Sequence, residues 1–267
     1  MVEFLISGLR SGIRGRSLQG VFVLGVMTVF VAYLSGSFSP RQPQTVAMDI
    51  GFSGLRFALV FLDLLWIQEL VAREIDRRTV FFSLAYPVSR GSFLVGRFVA
   101  IVTLSAMAAV IFGCLLTIAV ALAGGGYDQV LSPSLGAPFW IAIAGITLDA
   151  AVVAGFALCV STVSTVVNLP LALGAAFAVA GKALGPTLDY LASGGDGDVH
   201  LVAHFGPLVS GIRWVLPDLS RLDWRIWPLY LNAPAEGALL WASAMAASYL
   251  MLSMVLAITC FRRREFS

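Results

Sequence analysis

The chain has little charge. Of 267 residues only 12% are Asp, Glu, Lys or Arg, about half the share carried by water-soluble domains. Hydrophobic residues make up 59%, and the mean hydropathy is +0.91. Such a chain has too few polar groups to clothe a surface in water, and it reads as an all-α integral membrane protein. Cysteine is also sparse. Cys114, Cys159 and Cys260 lie far apart within apolar runs, which excludes the close spacing of metal and dithiol sites and leaves them as small buried hydrophobes. The formal net charge of +2 is too small for a nucleic-acid binder, so no nucleic-acid partner is expected. Two catalytic signatures are missing as well. No G-x-x-x-x-G-K-[ST] occurs, and the glycine cluster at 124–126 has no lysine after it; nor is there an H-E-x-x-H.

Long apolar runs dominate what is present. A helix needs about 20 mostly apolar residues to cross the hydrocarbon layer, and six runs qualify, at residues 18–37, 50–71, 98–123, 139–163, 169–191 and 239–261. The first is too long for a signal-peptide core and is followed by SGSFSPRQPQ with no small-residue cleavage pattern, so it is expected to be retained. The chain is expected to form a single transmembrane domain over 1–267.

Arginine supplies almost all of the positive charge, and its distribution sets orientation. One side would carry Arg10, Arg14, Arg16, Arg73, Arg77, Arg78, Arg90, Arg97, Arg262, Arg263 and Arg264, and the other Arg41, Arg213, Arg221 and Arg225. Eleven against four puts both termini in the cytoplasm and the protein in the cytoplasmic membrane.

Two segments depart from six spans joined by short loops. At the start, Val2, Leu5, Ile6, Leu9 and Ile13 fall on one helical face, with Glu3, Ser7, Arg10, Ser11 and Arg14 opposite. That pattern predicts an interfacial helix over 1–14, in contact with membrane lipid. Between the last two spans, residues 193–237 are too polar and too broken by Gly206, Pro207, Pro217 and Pro228 to cross, yet hold Trp214, Trp224, Trp227 and Tyr230. Aromatics of this kind suit short helices dipping into the outer leaflet.

Ionisable residues inside spans are costly and are candidates for function. At 1.5 Å per residue, Arg56 lies about 9 Å and Asp63 about 20 Å below the outer end of the second span, Asp149 about 15 Å below that of the fourth, and Lys182 about 13 Å inside the fifth. Similar depths let Lys182 or Arg56 pair with Asp149 and fix helix packing; contact with an anionic or zwitterionic substrate, or a proton path, are the other uses open to them. Glu69 falls near the cytoplasmic end, where it can be solvated. His200 and His204, four apart, lack an evident third ligand beyond Asp196 or Asp198, so no metal site is expected. Small-residue stretches such as GAAFAVAG and ASAMAAS permit close helix packing in lipid.

The longest charged stretch is REIDRRTVFFSLAYPVSRGSFLVGR, residues 73–97. Its charges belong in the cytosol, and Glu74 can pair with Arg77 and Arg78 at helical spacings of three and four. Pro87 disfavours helix in the residue before it, so the segment should be a short cytosolic helix followed by a restart into the third span. Thr79, Phe81, Phe82 and Leu84 exceed what a topological loop requires, and their apolar surface calls for a partner or the headgroup zone to cover it.

This stretch resembles the signature loop of type 2 ABC exporter permeases. The match falls on Glu74, Thr79, Leu84, Pro87, Val88, Ser89, Arg90, Phe93, Gly96 and Arg97. One position departs: Arg78 stands where the family usually has glycine. The resemblance implies that residues 72–97 hold a coupling helix docking into an ATP-binding cassette subunit, with Glu74, Arg77, Arg78, Thr79, Phe82, Leu84, Pro87 and Arg90 as coupling residues. It further implies that ATP and Mg are bound by that partner and not here, that this chain is not itself an enzyme, and that a second permease chain completes the path.

Two classes of function follow. One is an ABC permease subunit moving a hydrophobic or amphipathic substrate such as a lipid, a lipid-linked glycan or a drug, or serving the maturation of an exported enzyme. The other is a scaffold or intramembrane enzyme using the buried Asp and His residues, which lack the paired-carboxylate or H-E-x-x-H spacing that would assemble chemistry.

Overall fold

The computed structural model describes residues 2–76, 90–124, 129, 131–192 and 217–263. Helices account for the architecture, and no strand occurs among the described residues. In chain order they are α1 (Val2–Arg14), α2 (Arg16–Ser37), α3 (Pro43–Ile67), a π-helical turn (Gln68–Ala72), α4 (Arg73–Asp76), α5 (Arg90–Ala123), α6 (Ala137–Val163) and α7 (Leu169–Ala192). A 3₁₀ turn (Leu219–Leu222), α8 (Ile226–Tyr230) and α9 (Ala238–Arg263) follow. Six of the helical stretches are long and apolar enough to cross a membrane, and they match the six expected runs.

The helices α3 and α6 form the centre. On α3 the buried residues Met48, Phe52, Leu55, Leu59, Leu62 and Trp66 recur every three or four positions, and on α6 so do Phe139, Ile143, Ile146, Ala150, Val153 and Ala157. Such spacing places each set on one stripe of its helix. Around this pair, α2, α5 and α7 pack against α3, while α9 packs against α6. The outer helices keep large apolar side chains exposed, among them Met27 and Phe30 of α2, Val179 of α7, and Trp241 and Met251 of α9. In water that surface would aggregate; in lipid it is the expected exterior.

Several boundaries move. The second span begins at Pro43 and not at 50, because proline is well placed in a first helical turn. It then runs without a break through the π turn into α4, so REID is the end of the second span's helix and not a separate one. The third span begins at Arg90, eight residues before the expected start, which leaves 77–89 between the two helices. Arg77, Arg78, Thr79, Phe82, Leu84 and Pro87 lie outside the described residues, as does the side chain of Arg90.

The first helix also packs against protein, which its periodicity did not show. Phe4 meets Phe93 edge to face at 5.6 Å, Gly8 lies against Arg97 and Ala100, and Gly12 against Leu104. These contacts advance together, so α1 runs alongside the first turns of α5. Ile6 and Ile13 of the expected apolar stripe stay exposed. Glycine decides this: a Cβ on Gly8 would come within 2.7 Å of Ala100 Cβ, so the bare side of the helix approaches closest. Cys114, expected inside, is exposed, because the lipid-facing side of α5 is as apolar as its core side.

These contacts sort the ends of the spans onto two faces. One carries α1, the π turn, α4, the start of α5 and the end of α9, where Phe261 stacks on Phe93 at 6.3 Å. There the Gln68 amide donates to Asn168 Oδ1 in the turn between α6 and α7. The opposite face carries the described part of 193–237, tied back by Ser134 N–H donating to Pro228 O at 2.8 Å.

Candidate functional site

A charged cluster lies where α3, α6 and α7 meet the segment before the last span. Asp149, 2% exposed, faces Arg56 Nε at 3.2 Å and Lys182 Nζ at 3.7 Å. The expected pairing alternatives are thus both realised. What the sequence left unread is Asp223, whose Oδ2 accepts from Arg56 Nη1 at 2.7 Å and from Lys182 Nζ at 3.4 Å. Arg225, earlier counted as a loop cation, closes the cluster: its Nε lies 3.3 Å from Asp223 Oδ2, and its Nη1 donates to Ser53 Oγ at 3.1 Å and to Asp49 Oδ1 at 3.2 Å. Mutual pairing is what makes such charges tolerable away from water.

The 3₁₀ turn delivers Asp223 to this position. Asp218 caps it, accepting from Ser220 N–H at 3.2 Å and from Arg221 Nε at 3.1 Å. The turn then settles on bare helix surfaces. A Cβ on Gly145 would stand 2.6 Å from the Leu222 carbonyl oxygen and 2.8 Å from the Trp224 ring, and one on Gly181 would stand 2.7 Å from Leu219 Cδ1. Two glycines on α6 and α7 therefore set how deep the segment enters. The available signal was an aspartate flanked by aromatics in a segment that does not cross the membrane.

Electrostatics at Asp223 follow from these neighbours. Burial alone would raise its pKa, but the Arg56 hydrogen bond together with the charges of Arg56, Lys182 and Arg225 outweighs it and holds the carboxyl at about 2.

Beneath the cluster a cavity of about 530 Å³ opens between α3 and α7. Its walls are apolar, formed by Val60, Phe61 and Leu64 on one side and Ala175, Ala178 and Val179 on the other, and Arg56, Asp149 and Lys182 line its charged end. A second cavity of about 530 Å³ between α1, α2, α3 and α5 is lined by Ile13, Phe22, Trp66, Leu104 and Phe112 among others, with no charged residue among the described ones.

Asp63 stands apart from the cluster. Fully buried, it has the Ser105 hydroxyl as its polar neighbour, and no cation among the described residues pairs with it.

On the other face, Glu74 and Arg97 form a second constellation. Arg97 is 4% exposed, and its Nη2 donates to Glu74 Oε1 at 2.6 Å. The guanidinium also lies over the Phe93 ring, 5.6 Å from its centroid, a favourable cation–π arrangement. Glu74 thus pairs across to α5; Arg77 and Arg78, the partners its spacing suggested, lie outside the described residues. His200 and His204 lie outside the described residues.

No family model matches the chain, and no curated protein matches it.

Proposed function

We propose that the chain is the membrane subunit of an ABC transporter, working with a separate ATPase that binds ATP and Mg and with a second permease chain. It would lie in the cytoplasmic membrane with both termini in the cytoplasm. The observation that carries this reading is the Glu74–Arg97 pair at 2.6 Å. Both residues belong to the stretch that resembles the permease signature, and the pair ties together the two helices from which residues 77–89 emerge. A push on that segment would act on α3 and α5 at once, because α4 continues α3 through a π turn. Turns of this kind often mark functional sites in helices. Six spans with two buried central helices suit a subunit that repacks, and an ATPase partner would cover Phe81, Phe82 and Leu84.

Affinity purification from the native membrane in mild detergent, with mass spectrometry and an ATPase assay, tests this. Wild type should bring down a soluble nucleotide-binding protein, and Arg77→Glu should lose it while its own melting temperature stays unchanged. Absence of any ATPase from the wild-type sample would overturn the reading and leave a membrane scaffold or intramembrane enzyme.

A further inference from the structure

We infer that the cavity between α3 and α7 holds a single-chain amphiphile with an oxyanion head, a carboxylate or a phosphate, taken laterally from the bilayer. The inference rests on the permease reading for the role of substrate; binding itself needs no ATPase.

Volume and lining argue for the tail. About 530 Å³ lies well within the roughly 300–1,000 Å³ of ligand-holding cavities. Of the residues at its walls, Phe57 is 61% exposed and Val179 71% exposed, so the cavity is open to the surface that meets lipid chains.

Charge and unfilled donors argue for the head. Around the inner end, Arg56, Lys182 and Arg225 face Asp149 and Asp223. With Asp49, which pairs with Arg225 at 3.2 Å, the whole cluster balances, but at the cavity wall itself two cations, Arg56 and Lys182, stand beside one carboxylate, Asp149. The Asp149 carboxylate also lines the cavity and opposes an anion, but Arg56 at 3.2 Å already engages it. Arg56 Nη2 is buried with no hydrogen-bond partner among the described residues. Lys182 has the longest contacts in the cluster, 3.4 and 3.7 Å, and is 27% exposed. An entering oxyanion can accept from Lys182 directly, and from Arg56 Nη2 once the guanidinium turns toward the cavity, which satisfies a buried donor. The second cavity, of equal volume, has no charged side chain among its described lining residues, so it gives an internal contrast: it should take acyl chains without regard to the head.

The experiment uses the purified full chain in phosphatidylcholine nanodiscs, loaded with oleate, oleoyl lysophosphatidate or neutral monoolein, with retained molecules counted by native mass spectrometry. Wild type and Lys182→Arg should retain the anionic probes at least tenfold over monoolein. Lys182→Gln should fall to parity, and Ala178→Trp, which fills the cavity without touching the charges, should retain neither anion. Preference for lysophosphatidate over oleate would identify a phosphate head, and the reverse a carboxylate. Equal retention by wild type of all three probes overturns the proposal, as does undiminished anion retention in Ala178→Trp. A disulfide-linked dimer of Phe57→Cys with no lipid retained would give the cavity to a second copy of the chain and likewise overturn it. If binding behaves as expected but no ATPase copurifies, the permease reading fails and the site stands. If an ATPase copurifies while the probes do not discriminate, the site fails and the permease reading stands.

Discussion

Two aspartates in neighbouring helices have opposite energetic standing. Asp149 is a buried counter-ion of Arg56 and Lys182, so Asp149→Leu would leave the two cations sharing Asp223 alone and should lower the melting temperature in detergent, by less than the about 3–5 kcal/mol of a fully stranded buried charge. Asp63 is equally buried but answers no cation among the described residues. Replacing both it and its one polar neighbour, as Asp63→Leu with Ser105→Ala, removes a buried polar pair from an apolar setting and should leave the melting temperature unchanged or raise it. At Asp223 the outcome depends on pH. Its pKa of about 2 in the folded protein lies below the about 3.9 of an unfolded aspartate, so its pairing contributes fully above about pH 4 and is lost as pH falls toward 2. The difference in stability between wild type and Asp223→Asn should therefore be constant from neutral pH down to about 4 and close below it.

Glycine placement controls how elements meet. Gly145→Ala would put a methyl group 2.6 Å from the Leu222 carbonyl oxygen, and since backbone yields less readily than a side-chain tip, the 3₁₀ turn must lift away from α6. The expected cost is about 1–3 kcal/mol, with Asp223 drawn off Arg56 and a corresponding loss of the pH-dependent difference described above. The same reasoning explains α1. Its sequence periodicity gave Ile6 and Ile13 to the lipid, and they are exposed; what the periodicity did not show is that Gly8 and Gly12 allow α1 to approach α5 more closely than a row of branched side chains would. Pairing of Glu74 with Arg97 follows from that approach, because α1 covers the guanidinium from one side and Phe93 from another.

At the scale of the molecule, the exposed apolar surface of the outer helices is consistent with immersion in lipid. Cys114 reports on it: in a chain with Cys159 and Cys260 replaced by alanine, a membrane-soluble maleimide should modify Cys114 and a charged, water-soluble one should not. Modification by the charged reagent would place that surface of α5 in an aqueous passage.

Hydropathy alone determined the helical class and the six spans, because leaving a peptide backbone unsatisfied or a charge unpaired in hydrocarbon is so costly that composition leaves few alternatives. It also singled out Arg56, Asp149 and Lys182, since ionisable groups inside such runs are conspicuous. It could not show that Asp223 and Arg225 join them. Those two lie 41 to 176 positions away along the chain from the helix residues they meet, and their approach depends on two glycines and a capped turn whose effect exists only once helices are packed. Likewise, the spacing of Glu74 says nothing of Arg97, 23 positions on, which the tertiary arrangement sets against it. Local propensity ranks partners within a turn or two, and only the packed bundle determines which distant charge is nearest.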